Sequence, residues 1–270
     1  MNITFIGGGN MASALIGGLL DQGWNAGAIQ AVEIDGAARA RLERKYRIQT
    51  EKAISERSAH ADCVVLAVKP QQVREAGSLL RPHLATQLVI SIAAGIRLGD
   101  LARWLGGYAK LVRVMPNTPA LVRAGVAGLY ASSAVSADDR ERAERIMNAV
   151  GTTFWLETED QMDAITAISG SGPAYVFYFI EALQQAAVEL GLDAATARQL
   201  ALGTFAGSVQ LAAQSEEEPA VLRARVTSKG GTTEQAIAVM EREGLRAIVA
   251  RAAHAAAERS QALGEELGKD

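Results

Sequence analysis

The stretch Ile3-Thr4-Phe5-Ile6-Gly7-Gly8-Gly9-Asn10-Met11-Ala12 decides the fold. Ile3–Ile6 is a short apolar run with β-branched residues and reads as a strand. A Gly-x-Gly-x-x-Ala pattern follows at once, and then Asn10–Asp21, which carries helical periodicity. The glycine pattern alone is a weak signal. Set between a strand and a helix it is the dinucleotide fingerprint. Gly7 permits the tight turn, Gly9 lets backbone approach a diphosphate, and Ala12 lets the helix pack close to the sheet. The helix N-terminus offers N–H groups and a partial positive charge to that anion. The plain alternative is a tight strand–helix turn with no ligand. Glu33 tells against it, standing 21 residues after Ala12 at the end of the next strand run. A carboxylate there bonds the ribose hydroxyls of NAD. Asp35 adds a second negative charge, and both repel a 2′-phosphate. Arg39, one helical turn on, would partly compensate and admit NADP.

Working outward, the apolar runs Ile29–Ile34, Cys63–Val68, Leu88–Ile92 and Leu111–Met115 are strand-length. Their apolarity is continuous, as in strands covered on both faces. Between them lie helical stretches at Gly36–Tyr46, Gln71–Leu80 and Leu98–Leu105. Strand–helix–strand repetition predicts a doubly wound parallel sheet, an α/β fold of Rossmann type. Gly125–Tyr130 and Thr152–Leu156 read as further strands around a helix at Ala137–Val150. Past the acidic segment Glu157–Asp163 the strand-like runs stop and Ala-rich helical pattern takes over. Helices are expected from Pro173 to Gly191 and over Ala194–Ala213, Thr233–Arg242 and Leu245–Leu267. The chain therefore divides into a dinucleotide-binding domain, 1–160, and an all-helical domain, 161–270. A helical half so rich in Ala and Leu needs a surface to pack on, which points to a bundle shared between subunits.

Composition excludes several functions. The formal net charge of −3 argues against nucleic acid as a partner. A single cysteine, Cys63, forbids an internal disulfide and a thiolate zinc cage. It lies inside an apolar run and reads as a small buried hydrophobe, which fits a reduced, cytoplasmic setting. No His/Cys/Asp cluster has metal-ligand spacing, so no metal is expected. The first basic residue is Arg39, so the N-terminus lacks the cationic start of a signal peptide. The longest uncharged stretches, Ala164–Ile180 and Gln199–Ser215, fall short of the ~20 apolar residues that span a bilayer, so no membrane is expected. His60, His83 and His254 stand apart from any orienting acid and read as structural or exposed.

Three more strand ends carry small or rigid residues on the edge where doubly wound sheets bind ligands. They are Ala67-Val68-Lys69-Pro70, Ser91-Ile92-Ala93-Ala94-Gly95 and Met115-Pro116-Asn117-Thr118-Pro119. The helical half has Ser169-Gly170-Ser171-Gly172-Pro173-Ala174-Tyr175, read as a flexible loop opening a helix. Its Gly-x-Ser-x-Gly likeness is no nucleophile elbow, because no strand precedes it. It also has Thr227-Ser228-Lys229-Gly230-Gly231-Thr232-Thr233, whose amides, hydroxyls and helix start suit a carboxylate. Plain N-capping by Thr232 or Thr233 is the alternative, and both roles are compatible.

Together these segments resemble pyrroline-5-carboxylate reductase, in family order over nearly the whole chain. The resemblance implies NAD(P)H-dependent reduction of 1-pyrroline-5-carboxylate to L-proline, and a C-terminal dimerisation domain. It implies a homodimer, which family members commonly assemble into decamers. Carried over by motif, Ile6, Gly7, Gly8, Gly9, Asn10, Met11, Glu33, Ala67, Val68, Lys69, Pro70, Ala93, Ala94 and Gly95 contact NADP or NAD. Asn117 lies beside the nicotinamide region. Ser228, Gly230, Gly231, Thr232 and Thr233 hold the substrate carboxylate, with Thr233 and Glu216 as the groups nearest the chemistry. The register among Glu216, Glu217 and Glu218 stays open. Glu33 departs from relatives that prefer NADPH, which commonly have a neutral residue there. Two other readings use the same fold: a β-hydroxyacid dehydrogenase with Lys229 as acid–base group, and a nucleotide-sensing regulator.

Overall fold

The structure, a computed structural model, describes residues 1–269. Among these, eight strands form one sheet: β1 (Ile3–Ile6), β2 (Ile29–Val32), β3 (Gln49–Glu51), β4 (Cys63–Leu66), β5 (Leu88–Ser91), β6 (Leu111–Met115), β7 (Gly125–Ala131) and β8 (Gly151–Trp155). Their order is β3-β2-β1-β4-β5-β6-β7-β8. The first six in sequence run parallel, as expected of a Rossmann-type sheet. β7 instead lies antiparallel to β6, and β8 parallel to β7. Residues 116–124, which join β6 to β7, hold only a 3₁₀ turn at Thr118–Val122. A parallel crossover needs about a dozen residues or more, so the chain turns straight back.

The helices of this part are α1 (Asn10–Asp21), α2 (Gly36–Tyr46), α3 (Glu56–Ala59), α4 (Val73–Leu80), α5 (Leu98–Trp104) and α6 (Ala137–Met147). Every residue of β1, β4 and β5 is buried, because helices cover both faces. On one face Leu15, Ile16 and Leu19 of α1 join Ile146 and Met147 of α6. On the other, Leu80 of α4 joins Leu101 and Trp104 of α5. α1 lies close enough that a Cβ at Gly18 would fall 2.2 Å from the Ala149 carbonyl oxygen. Cys63, in β4, is fully buried between Ile3 and Leu88 of the neighbouring strands. Burial pushes its thiol far above the ordinary range.

The helices beyond are α7 (Gln161–Ile165), α8 (Gly172–Glu189), α9 (Ala194–Ala213), α10 (Pro219–Arg225), α11 (Thr232–Arg242) and α12 (Leu245–Leu267). The small-residue segment before α8 is not a flexible loop. Thr166–Gly170 is a π-helical turn continuous with α7. Ser171 N donates to Thr166 O at 2.8 Å, one residue beyond the α-helical partner. Small side chains there allow a tight approach: a Cβ at Gly170 would meet Met115 Cε at 2.6 Å. Compactness divides the chain differently from the composition break near 160. Among the described residues, one unit holds 1–171 with 255–269, and the other holds 172–254. α7 and the π turn belong with the sheet, since Ile165 packs on Gly128 and Asn117 bonds Ser169. Within the second unit α8 buries no side chain and α9 buries Ala197 and Ala201. Phe177, Tyr178 and Val209 are each at least 64% exposed there. No helix among the described residues is long and apolar enough to cross a membrane.

Candidate active site

Parallel strands place β1, β4, β5 and β6 with their C-terminal ends on one edge, and the strand order reverses direction between β1 and β4. A doubly wound sheet opens a crevice at such a point. The loop after β1 is fitted to it. Gly7 has φ +102°, and a Cβ there would lie 2.6 Å from the Ala67 carbonyl oxygen, so only glycine passes. Gly7 N donates to Val32 O at 2.8 Å, and Ala67 N donates to Ile6 O at 2.8 Å. Gly9 is the N-cap residue of α1. No side chain caps this helix and its first turn holds no acid. A Cβ at Gly9 would meet nothing within 4 Å. The α1 N-terminus is thus open, electropositive and approachable, which fits a dinucleotide diphosphate held by the amides around Gly9 and Asn10.

Glu33 is half-buried beside this loop. One carboxylate oxygen accepts from Gly8 N at 2.8 Å, and the other from Asp35 N at 2.9 Å. Its charge is therefore fixed where a ribose would come. Asp35 caps α2 by accepting from Ala38 N at 2.6 Å. Arg39 donates to the Glu33 and Ile34 carbonyls at 2.7 and 3.0 Å, so backbone orients it next to the two acids.

Beyond β4, Lys69 is exposed and Pro70 opens a 3₁₀ turn. Beyond β5, Ala93 is buried, Ala94 exposed and Gly95 left-handed at φ +77°. Asn117 is buried and its side chain is engaged. Its Oδ1 accepts from Val126 N at 2.9 Å, while Nδ2 reaches Ser169 O and Oγ, each at 3.2 Å. The side chain ties β6, β7 and the π turn together, and the backbone carbonyl accepts from Ala120 N at 3.2 Å.

In the second unit, Gly231 is the N-cap residue of α11, again with no side-chain cap. Neither Thr232 nor Thr233 caps the helix, so the N-capping alternative is not what the chain adopts. Gly231 N is used by Ser228 O at 3.0 Å. Glu234, which sequence reasoning missed, accepts from Gly230 N at 2.7 Å and braces the loop. Its signal was an acid three residues past the cap, the capping-box spacing, although the bond goes to Gly230 N, one residue before the cap. Thr233 is half-buried and Ser228 exposed. The three glutamates before α10 differ. Glu217 pairs with Arg225 at 2.5 Å, Glu218 is the N-cap residue of α10, and Glu216 is exposed. The structure thus gathers Ile6–Met11, Glu33, 67–70, 93–95 and Asn117 on one sheet edge. Residues 228–233 share one helix start in the other unit.

A family model for pyrroline-5-carboxylate reductase dimerisation matches residues 159–263. A model for NADP oxidoreductase, coenzyme F420-dependent, matches residues 2–95. A pyrroline-5-carboxylate reductase of Pseudomonas aeruginosa is 48% identical over 268 residues, covering 99% of this chain and 98% of its own. The chain belongs to the pyrroline-5-carboxylate reductase family. A solved pyrroline-5-carboxylate reductase from Coxiella burnetii matches with TM-score 0.93 and 43% identity, over 97% of this chain and 98% of that one. The Plasmodium falciparum pyrroline carboxylate reductase, solved with NADP bound, matches with TM-score 0.86 and 32% identity, over 98% of each chain. Pyrroline-5-carboxylate reductase membership makes the chain a nicotinamide-dependent oxidoreductase. It also removes the hydroxy-acid dehydrogenase reading of Lys229, which is exposed before α11.

Proposed function

We propose that the chain reduces 1-pyrroline-5-carboxylate to L-proline, the last step of proline biosynthesis, and favours NADH over NADPH. One observation carries the reading. Two helices, α1 and α11, each begin at a glycine with no side-chain cap, and the first-turn acid of α11, Glu234, is taken up by Gly230 N. Uncapped helix starts of this kind suit anions, which supports a diphosphate at α1 and a small carboxylate at α11.

The reduced nicotinamide supplies the hydride that C5 of the imine receives. The chain's residues do the rest. Amides at Thr232 and Thr233 and the Thr233 hydroxyl hold the carboxylate. Glu216 sits near the ring nitrogen and offsets the positive charge of the protonated imine. An iminium carbon is already electrophilic, so orientation is the main demand. That agrees with a chain whose histidines His60 and His254 are exposed. Small residues at Ala93, Ala94 and Gly95 let the ring approach backbone.

The cofactor preference rests on Glu33, a fixed charge beside Gly8, with Asp35 next to it. Self-association as a homodimer, assembled further into a decamer, would cover the apolar side chains exposed on α8 and α9. A cytoplasmic setting fits the single thiol. Loss of nicotinamide absorbance with the cyclic imine, compared for NADH and NADPH, tests the reading. Turnover with both and a higher kcat/KM for NADH is expected. No turnover with the imine defeats the reaction, and a preference for NADPH defeats the cofactor assignment alone.

A further inference from the structure

Ser260 and Gly264 are buried in α12. They stand four residues apart and share a face with Leu267. That face meets the turn after β5. A Cβ on Gly95 would lie 3.2 Å from Leu267 Cδ1 and 3.7 Å from Gly264 N. A Cβ on Gly264 would lie 3.2 Å from both Gly95 O and Arg97 Nε. Ser260 Oγ donates to Asp163 Oδ1 at 2.6 Å, which fixes the helix one turn earlier. Arg103 donates to Gly268 O at 2.5 Å just past its end. The turn is anchored at its ends, where Ile92 N reaches Leu66 O at 3.1 Å and Leu98 N reaches Glu159 Oε1 at 2.8 Å. Its left-handed apex, Gly95, is backed by α12.

We infer that the last turns of α12, through Gly264 and Leu267, are a positioning device that sets the height of the Ala93–Gly95 turn against the dinucleotide. The inference rests on the reading that this turn touches the cofactor. Gly264 and Leu267 act through the turn and touch neither cofactor nor imine. A side chain at 264 would wedge the turn outward, and a truncated Leu267 would let it sink.

Three variants of the full chain separate the possibilities: Ala94→Asp in the turn itself, Gly264→Val and Leu267→Ala. A positioning element displaced by about 1 Å can cost up to a hundredfold. Gly264→Val is expected to raise the KM for the favoured reduced cofactor roughly tenfold, with kcat and the imine KM changed less than about twofold. Leu267→Ala should follow in the same direction by about threefold, and it carries the test if Gly264→Val does not fold. Loss of packing alone lowers the active fraction, and so kcat, at constant cofactor KM. That pattern in both α12 variants overturns the inference if Ala94→Asp raises the cofactor KM, and the cofactor reading then stands. A cofactor KM unmoved by Ala94→Asp removes the reading of the turn, and the inference with it.

Discussion

Glu33 accepts two backbone N–H bonds, so its charge cannot swing away from an incoming ribose phosphate. Glu33→Ser should move the ratio of kcat/KM values toward NADPH by about tenfold, the size of one charge-assisted interaction of ~1.5 kcal/mol. Steady-state comparison of the two cofactors checks this, and an unchanged ratio would assign discrimination to Arg39 or elsewhere. On the proposed role of Thr233, Thr233→Ala would remove a charge-assisted hydrogen bond worth about 1.5–3 kcal/mol, so the KM for the imine should rise roughly tenfold or more. An unmoved KM would take the carboxylate away from this hydroxyl. Gly7, Gly9 and Glu33 were legible because the fingerprint is local: turn, cap and acid are separated by fixed spacings. Asn117 was legible only as a position. Its bonds reach Ser169, 52 residues away, and no local pattern announces such a partner.

Elements were legible where burial imposes a period. α1, α2, β6, α9 and α12 have the bounds that the apolar spacing predicts. β3 escaped because Gln49-Thr50-Glu51 is a short polar edge strand with one neighbour, so nothing apolar marks it. α3 and α10, each two turns or less, offer too few residues for a period. The π turn was hidden because its small residues carry loop propensity, and contacts with Met115 and Asn117 override it. α6 carries a testable electrostatic link. Its Asp139 receives Lys110 Nζ at 2.9 Å and Ser136 Oγ at 2.9 Å, tying the start of β6 to the helix start. Burial alone would raise this carboxyl, but the bonds from Lys110 and Ser136, with the charges of Lys110 and Arg142, hold it below the usual range. The resulting stability is full above the unfolded value of about 3.9 and is lost as pH falls through the lower folded one. Denaturant midpoints of the parent and Asp139→Asn should therefore differ near pH 6 and converge on acidification below about pH 4. A constant gap would mean that the link is not ionic.

At the scale of the whole molecule, the apolar half of the composition is spent unevenly. The sheet unit buries its central strands β1, β4 and β5 completely, whereas Phe177 and Tyr178 of the helical unit stand 66% and 71% exposed. Sequence texture marks the start of the helical half near 160, where composition changes, whereas compactness groups α7 and the π turn with the sheet. If self-association covers the helical unit, the thermal midpoint should rise with protein concentration. Phe177→Glu should abolish that dependence and give the mass of a single chain in sedimentation equilibrium. A parent whose midpoint ignores concentration would contradict this. The depth of Cys63 has a practical outcome. The chain's one thiol is interior to a central strand and held protonated by its surroundings, so a disulfide reagent such as dithiobis(nitrobenzoate) can reach it only when neighbouring strands part. The rate of colour release by the untouched native enzyme would then be a stopwatch for rupture of the sheet, needing no engineered probe.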